Sequence, residues 1–147
     1  MIVKGYPIDY DTVMDTWERS VRASHHFLPE DYLREIRGLL PKILPSVDLY
    51  LYREQSQILG FAGVAGKKLE MLFVDPRHFR RGVGRSLVQY CLHHLGTDKV
   101  DVNEQNQTAL EFYIKMGYRQ VDRKELDSMG RPYPILELQY FAIDSSR

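Results

Sequence analysis

Between Val74 and Ser86 the chain reads Val-Asp-Pro-Arg-His-Phe-Arg-Arg-Gly-Val-Gly-Arg-Ser, the densest concentration of reactive and ligand-binding residue types in the sequence. Arg77, Arg80, Arg81 and Arg85 fall here together with His78, and no acid lies between positions 77 and 85. An apolar, strand-like run precedes the stretch and an amphipathic helical pattern follows it. A strand, a glycine-rich loop and a helix start in that order are suited to hold phosphate. The first helical amides have no intrahelical acceptor, and the helix dipole favours an anion there. Gly82 and Gly84 carry no Cβ, so a ligand can approach the main chain closely. The whole chain has 20 basic and 20 acidic residues, for a formal net charge of zero. The basic loop is therefore a local patch in a balanced protein. It suits a small polyanion, whereas a nucleic-acid surface usually shifts the charge of a whole domain. The dinucleotide fingerprint Gly-x-Gly-x-x-Gly fails because Leu87 stands at its last position, and the Walker loop fails because Arg85, not Lys, follows Gly84.

Elsewhere the residue types that do chemistry are dispersed. Cys91 is the single cysteine and lies on a helical apolar stripe, so it reads as a buried small hydrophobe with no disulfide partner. The histidines show no metal-ligand spacing, and no metal is expected. Tyr113 shares a helix face with Ala109 and Met116, which by periodicity alone is a core position. Strand alternation would put Glu70, Leu72 and Val74 on one face, looking either into a cleft or into solvent. His25, His26 and Phe27 follow the first helical pattern, and Asn103 and Glu104 end a later strand.

The elements that must position these residues follow from periodicity and turn residues. Ile2 to Gly5 reads as a strand, Tyr10 to about Ser24 as a helix, and residues 32–43 as a second helix with Pro29 in its first turn and a ragged end at Pro41 and Pro45. Leu49 to Arg53, Ile58 to Ala65 and Leu69 to Val74 read as consecutive strands. A helix from Val83 stops near Gly96, a short strand covers Lys99 to Val102, and a helix through Ala109 and Met116 ends at Gly117. Tyr118 to Leu126 and Tyr133 to Phe141 close the pattern as strands, with the final Asp-Ser-Ser-Arg frayed. With 147 residues, 44% of them apolar, the chain fits one domain, residues 1–147, of a globular protein. No apolar run reaches the roughly 18 residues that span a bilayer. The start lacks the charged-then-apolar order of a secretory signal. A cytoplasmic protein, monomeric or homodimeric, with no membrane or nucleic-acid partner, is expected.

That element order resembles the GNAT superfamily of acyl-CoA-dependent N-acyltransferases over nearly the full chain. Arg80-Arg81-Gly82-Val83-Gly84 resembles the pyrophosphate loop of the family, usually Gln/Arg-x-x-Gly-x-Gly/Ala. Asn106-x-x-Ala109-x-x-Phe112-Tyr113-x-x-x-Gly117-Tyr118 resembles its second signature. One departure stands out: the opening Gln/Arg falls at Phe79, which has no side-chain donor, so backbone amides and Arg80 or Arg81 must supply that contact.

The resemblance implies an α/β (α+β) fold. Its mixed, mostly antiparallel sheet would have about seven strands flanked by four helices and splayed between strands 4 and 5. It implies acetyl-CoA as co-substrate and an amine acceptor, either a small molecule or a protein lysine or N-terminus, with direct attack in a ternary complex. Residues 72–74 (Leu72, Phe73, Val74), Phe79 to Ser86, Asn103, Asn106 and Tyr113 would bind the coenzyme, with Val83, Arg85 and Ser86 inside the loop. Amides near Leu72 to Val74 would meet the oxyanion. Tyr113 would protonate the leaving thiolate, and Phe112 would pack. Asn106 either caps its helix or meets the pantetheine arm. For the base, Glu70 stands first, with the histidines after helix 1 as an alternative. His25, Phe27 and Glu104 would lie by the acceptor. Phe79 and the lack of a clear base leave room for a second reading, an acyl-CoA-binding regulatory module with little turnover.

Overall fold

In the computed structural model, which describes residues 1–142, seven strands form one sheet in the order β1-β2-β3-β4-β5-β7-β6. The strands are β1 (Ile2–Lys4), β2 (Asp48–Glu54), β3 (Gln57–Ala65), β4 (Lys68–Val74), β5 (Lys99–Asn103), β6 (Tyr118–Lys124) and β7 (Ile135–Tyr140). Every neighbouring pair is antiparallel except β4 and β5. Those two are parallel and pair only through Lys68–Lys99 and Leu69–Val100. Beyond that point the strands diverge, which is the expected splay. The frayed end expected at residues 144–147 lies outside the described residues.

The helices α1 (Tyr10–Ser24), α2 (Glu30–Ile43), α3 (Val83–Leu95) and α4 (Gln107–Lys115) cover the two faces in pairs. Val13, Trp17 and Val21 form one stripe of α1 and pack with Leu33 and Leu40 of α2 against Phe61 and Met71. On the opposite face Leu87, Val88 and Cys91 of α3 and Tyr113 of α4 pack on Val100, Val102, Leu136 and Leu138. Each large aliphatic side chain sealed this way contributes roughly 1.5–3 kcal/mol.

Three local differences from the sequence reading have physical causes. Helix α2 begins after Pro29, which stands at its N-cap, and continues through Pro41 to Ile43. Pro41 forgoes one backbone bond, yet Leu40 and Leu44 on either side are 2% and 0% exposed and hold the last turn in the core. Strand β6 stops at Lys124, short of Leu126, and β7 starts at Ile135 instead of Tyr133. Asp127 closes the connection, since its carboxylate accepts the amides of Met129 and Arg131 at 3.0 and 2.9 Å. Pro132 and Pro134 have no amide to give a ladder. The third difference is a register shift: Gly63 faces Met71 and Val64 faces Leu69, so Glu70 has no partner on β3. Strict alternation is broken there, and Glu70 does not share a face with Leu72 and Val74 as the sequence pattern implied.

Candidate active site

The splay gives two half-sites, one on each face of the sheet. On the α3/α4 face, β4 runs into a short 3-10 turn (Pro76–His78) and then the loop before α3. Asp75 anchors this corner. It is fully buried, accepts the Arg77 amide and guanidinium at 2.8–3.0 Å, and accepts Arg19 Nε from α1 at 2.9 Å. The Arg77 guanidinium, with help from Arg19, holds the Asp75 carboxyl well below the usual carboxylate range. Two of the four arginines in the acid-free run from 77 to 85 are thus paired with acids outside it. Arg77 is committed to Asp75, and Arg81 reaches the His78 ring at 2.8 Å and Glu54 at 3.4 Å. Arg80 and Arg85 have no ion pair among the described residues.

Past this corner the loop exposes its backbone. Arg80 (φ +65°) and Gly82 (φ +79°) both lie in the left-handed region. Ser86 is the first amide of α3 with an acceptor, Gly82 O at 2.9 Å, and the amides of residues 80–85 have none among the described residues. Consecutive amides turned outward by alternating left- and right-handed residues form an anion-binding concavity. A non-glycine residue held at positive φ marks backbone strain of the kind that collects at ligand sites. A Cβ on Gly84 would lie 3.5 Å from Val74 and 3.7 Å from Phe112, so α4 packs directly against the loop. Phe79 is 43% exposed beside it.

Along β4 the amide of Asp75 donates to Leu59 O at 2.9 Å. Amides alternate in direction along a strand, so the Phe73 amide turns to β3 while those of Leu72 and Val74 face the open gap. Phe73 instead packs its ring on Trp17 and Phe61. Tyr113 is 5% exposed, between Phe112 and Tyr118, and its hydroxyl makes no hydrogen bond among the described residues. Burial raises its phenol above the ordinary tyrosine value, so it stays protonated. Asn106 caps α4, accepting the Ala109 amide at 3.2 Å. Burial pushes the Cys91 thiol up to about 11, an inert state for a nucleophile.

The opposite face holds a cleft of about 580 Å³ whose floor includes Glu70 and Asn103, from the two diverging strands. One wall is α2, through Tyr32, Ile36, Leu39 and Ile43, and the other is the β6–β7 connection, through Leu126 and Met129. Tyr32 is 2% exposed and donates its hydroxyl to Asp127, which ties the two walls together. Arg131 lies 4.4 Å over the Tyr32 ring and pairs with Glu35. Glu70 has neither hydrogen bond nor ion pair among the described residues.

The other acceptor-side candidates sit at the margin. His25 packs between Phe27 (5.5 Å) and Phe73 (6.4 Å) and shares a 2.8 Å hydrogen bond with Ser24. Burial, then the charge of His26, lowers it to about 4, so it is neutral at pH 7. Phe27 continues the row to Tyr133. Glu104 is half-buried and grips Arg123 at 2.6 Å, which holds its carboxyl below the usual range, and it does not line the cleft. The Tyr32-Ile36-Leu39-Ile43 stripe is not expected from the sequence as a feature distinct from the helix core. Its apolar residues alternate along the helix with those of the core stripe, Leu33 and Leu40, and only the fold separates the two faces.

A mixed sheet splayed between β4 and β5, with an amide-lined loop at one face of the gap and a cleft at the other, has the layout of an acyl-CoA-dependent acyltransferase. Residues 20–130 match the model of the acetyltransferase (GNAT) domain, and the chain belongs to that family. It is an N-acetyltransferase of that family. The chain is 40% identical over 125 residues to the peptidyl-lysine N-acetyltransferase YjaB of Escherichia coli, covering 84% of this chain and 85% of the relative. It is 28% identical over 124 residues to the peptidyl-lysine N-acetyltransferase YiaC of the same organism, covering 83% and 85%. The solution structure of apo-form YjaB superimposes with a TM-score of 0.89 at 35% identity, over 97% of this chain and 98% of that one. The PaiA N-acetyltransferase of Thermoplasma acidophilum, in complex with coenzyme A, shares the fold with a TM-score of 0.73 at 20% identity, over 95% and 98%.

Proposed function

We propose that the protein transfers an acetyl group from acetyl-CoA directly to the side-chain amine of a peptide lysine, with Glu70 as base and Tyr113 as acid. The observation that carries this reading is the gap between β4 and β5. The free amides and Tyr113 lie toward one face of it, and the unpaired carboxylate of Glu70 toward the other. Acetyl-CoA supplies the activated acyl group as a thioester, and its phosphates are the polyanion that the loop suits. The amides of residues 80–85 and the uncommitted guanidinium groups of Arg80 and Arg85 hold those phosphates; Phe79 contributes backbone rather than side-chain donors. Leu72 and Val74 turn amides toward the negative charge that develops on the carbonyl oxygen.

A lysine amine is protonated in water at pH 7 and cannot attack until it loses a proton. Glu70 has no direct ion pair among the described residues, the nearby Lys68 being held by Asp101, and accepts that proton directly or through water. Tyr113 keeps its own proton across the working pH range and has no other acceptor, so it is free to donate toward the departing sulfur. Cys91 has neither the ionisation nor the access for an acyl-enzyme, consistent with direct transfer. The relatives named as peptidyl-lysine N-acetyltransferases support a lysine acceptor.

The test pairs mass-spectrometric detection of acetyl transfer to lysine peptides with calorimetric titration of acetyl-CoA. Glu70→Gln is expected to cut transfer about 10²-fold and leave acetyl-CoA affinity unchanged. Wild-type transfer rates in Glu70→Gln would remove Glu70 from the mechanism.

A further inference from the structure

Helix α2 has more apolar surface than the core uses. Leu33 and Leu40 face inward and are 8% and 2% exposed. A second stripe, Tyr32, Ile36, Leu39 and Ile43, runs beside the first at the i, i+4, i+7, i+11 spacing of one helix face and lines the cleft. Tyr32 is taken by Asp127, but Ile36 and Leu39 are only half-buried and Ile43 is 38% exposed. Leu126 faces them across the cleft and is 52% exposed. Two aliphatic walls thus stand open to water on either side of Glu70.

The charges around the cleft are already matched. Lys68 holds Asp101 at 2.6 Å, Lys124 holds Glu137 at 3.0 Å, and Arg131 holds Glu35 at 2.5 Å. Asp127 accepts Tyr32 and two backbone amides. Glu70 remains as the carboxylate of the cleft without a partner among the described residues. A polyamine or an aminoglycoside brings several ammonium groups, each needing its own carboxylate once water is displaced. One free carboxylate between aliphatic walls is complementary to one amine with apolar neighbours.

The dimensions point to an extended chain. From Tyr32 to Ile43 the stripe rises about 16 Å at 1.5 Å per residue, room for about five residues of extended peptide at 3.3 Å each. We infer that the groove between α2 and the β6–β7 connection binds an extended peptide whose lysine is flanked by bulky aliphatic residues, with Ile36, Leu39 and Leu126 setting that preference. This rests on the lysine transfer proposed above.

The experiment compares kcat/KM at saturating acetyl-CoA for matched peptides differing only around one lysine, Leu-Lys-Leu against Gly-Lys-Gly, with spermidine as a third acceptor. Wild type is expected to favour the leucine-flanked peptide by about ten-fold or more, the scale of one well-buried aliphatic side chain. In Ile36→Ser/Leu39→Ser that ratio should fall to about two-fold or less while KM for acetyl-CoA, set on the other face, holds. Equal rates on the two peptides, or a preference for spermidine, would overturn the inference and leave amine transfer standing. Transfer to neither peptide would overturn the lysine reading itself. The wild-type comparison decides the question even if the double variant does not fold.

Discussion

The loop proposed to hold the coenzyme and the cleft proposed to hold the acceptor meet at the same gap in the sheet but are made of different material. The loop offers backbone, namely the amides of residues 80–85 and the outward amides of Leu72 and Val74. The cleft offers side chains, most of them already bonded to one another, as in Tyr32–Asp127, Arg131–Glu35 and Lys68–Asp101. Backbone donors depend on conformation, so a few glycines and a strand-to-helix junction suffice to specify them. Side-chain walls depend on which residue types meet across the fold. A family can therefore keep its coenzyme through short motifs while its acceptor changes with scattered substitutions.

The sharpest test of that division is Tyr113, which belongs by packing to the core and by proposal to the chemistry. Tyr113→Phe is expected to lower kcat by about 10²- to 10³-fold, the size of a general-acid contribution. Affinity for acetyl-CoA should barely change. Because the hydroxyl has no hydrogen bond among the described residues, its removal should not destabilise the fold, and thermal unfolding should match wild type or rise slightly. A purely structural tyrosine gives the opposite pattern, with kcat intact.

The same division decides what could be read from the sequence. The loop from Arg80 to Ser86 and the helix from Asn106 to Gly117 were legible because each is one contiguous piece with its own turn chemistry. The element order was legible because apolar periodicity is local. Strand ends were less so: the turn at Asp127 to Gly130 was legible from its residue types, but β6 stops at Lys124 and β7 starts at Ile135, so the connection takes more residues on each side than strand propensity suggests. Glu70 lines the cleft for a reason other than the alternation expected of it, since a register shift takes it out of the ladder. The cleft was largely invisible, because Tyr32 and Asp127 are 95 residues apart and only the finished fold brings them together. Asp75 was read as part of the loop's approach, with nothing in the sequence to say that it would take Arg77 and Arg19 for itself.

Asp75 therefore gives the next test, on the coenzyme side. Its carboxyl titrates lower in the folded protein than the roughly 3.9 of an unfolded aspartate. Between those values the unfolded chain binds more protons, so stability rises with pH across that window. The contribution is complete above about pH 5 and is lost as acid drives the pH toward the folded value. Asp75→Asn should lower stability at pH 7 by roughly 1–3 kcal/mol, less than a sealed pair would lose, because its guanidinium partners stay largely solvated. Urea unfolding from pH 7 to pH 3 should show wild type and variant converging as the pH falls. A gap that stays constant with pH would mean the aspartate acts by shape and capping, not by charge.

The smallest effect sits at Arg80, where the two kinds of material meet in one residue. Its backbone is held at φ +65°, a conformation that costs an L-residue about 1 kcal/mol and that glycine adopts without that cost. Its guanidinium has no ion-pair partner among the described residues and is assigned to phosphate. Arg80→Gly should therefore stabilise the free protein by about 0.5–1 kcal/mol, the glycine's extra chain entropy offsetting part of the relief. The same change should weaken acetyl-CoA several-fold, the scale of one charge-assisted hydrogen bond to phosphate. Gln55 is the internal control, held at φ +58° in the β2–β3 turn. Gln55→Gly should give a similar gain in stability with no loss of coenzyme affinity. If the two variants behave alike in both measurements, the strain at Arg80 is only the geometry of a turn. If only Arg80→Gly loses affinity, the loop holds a strained residue in place for the charge it carries.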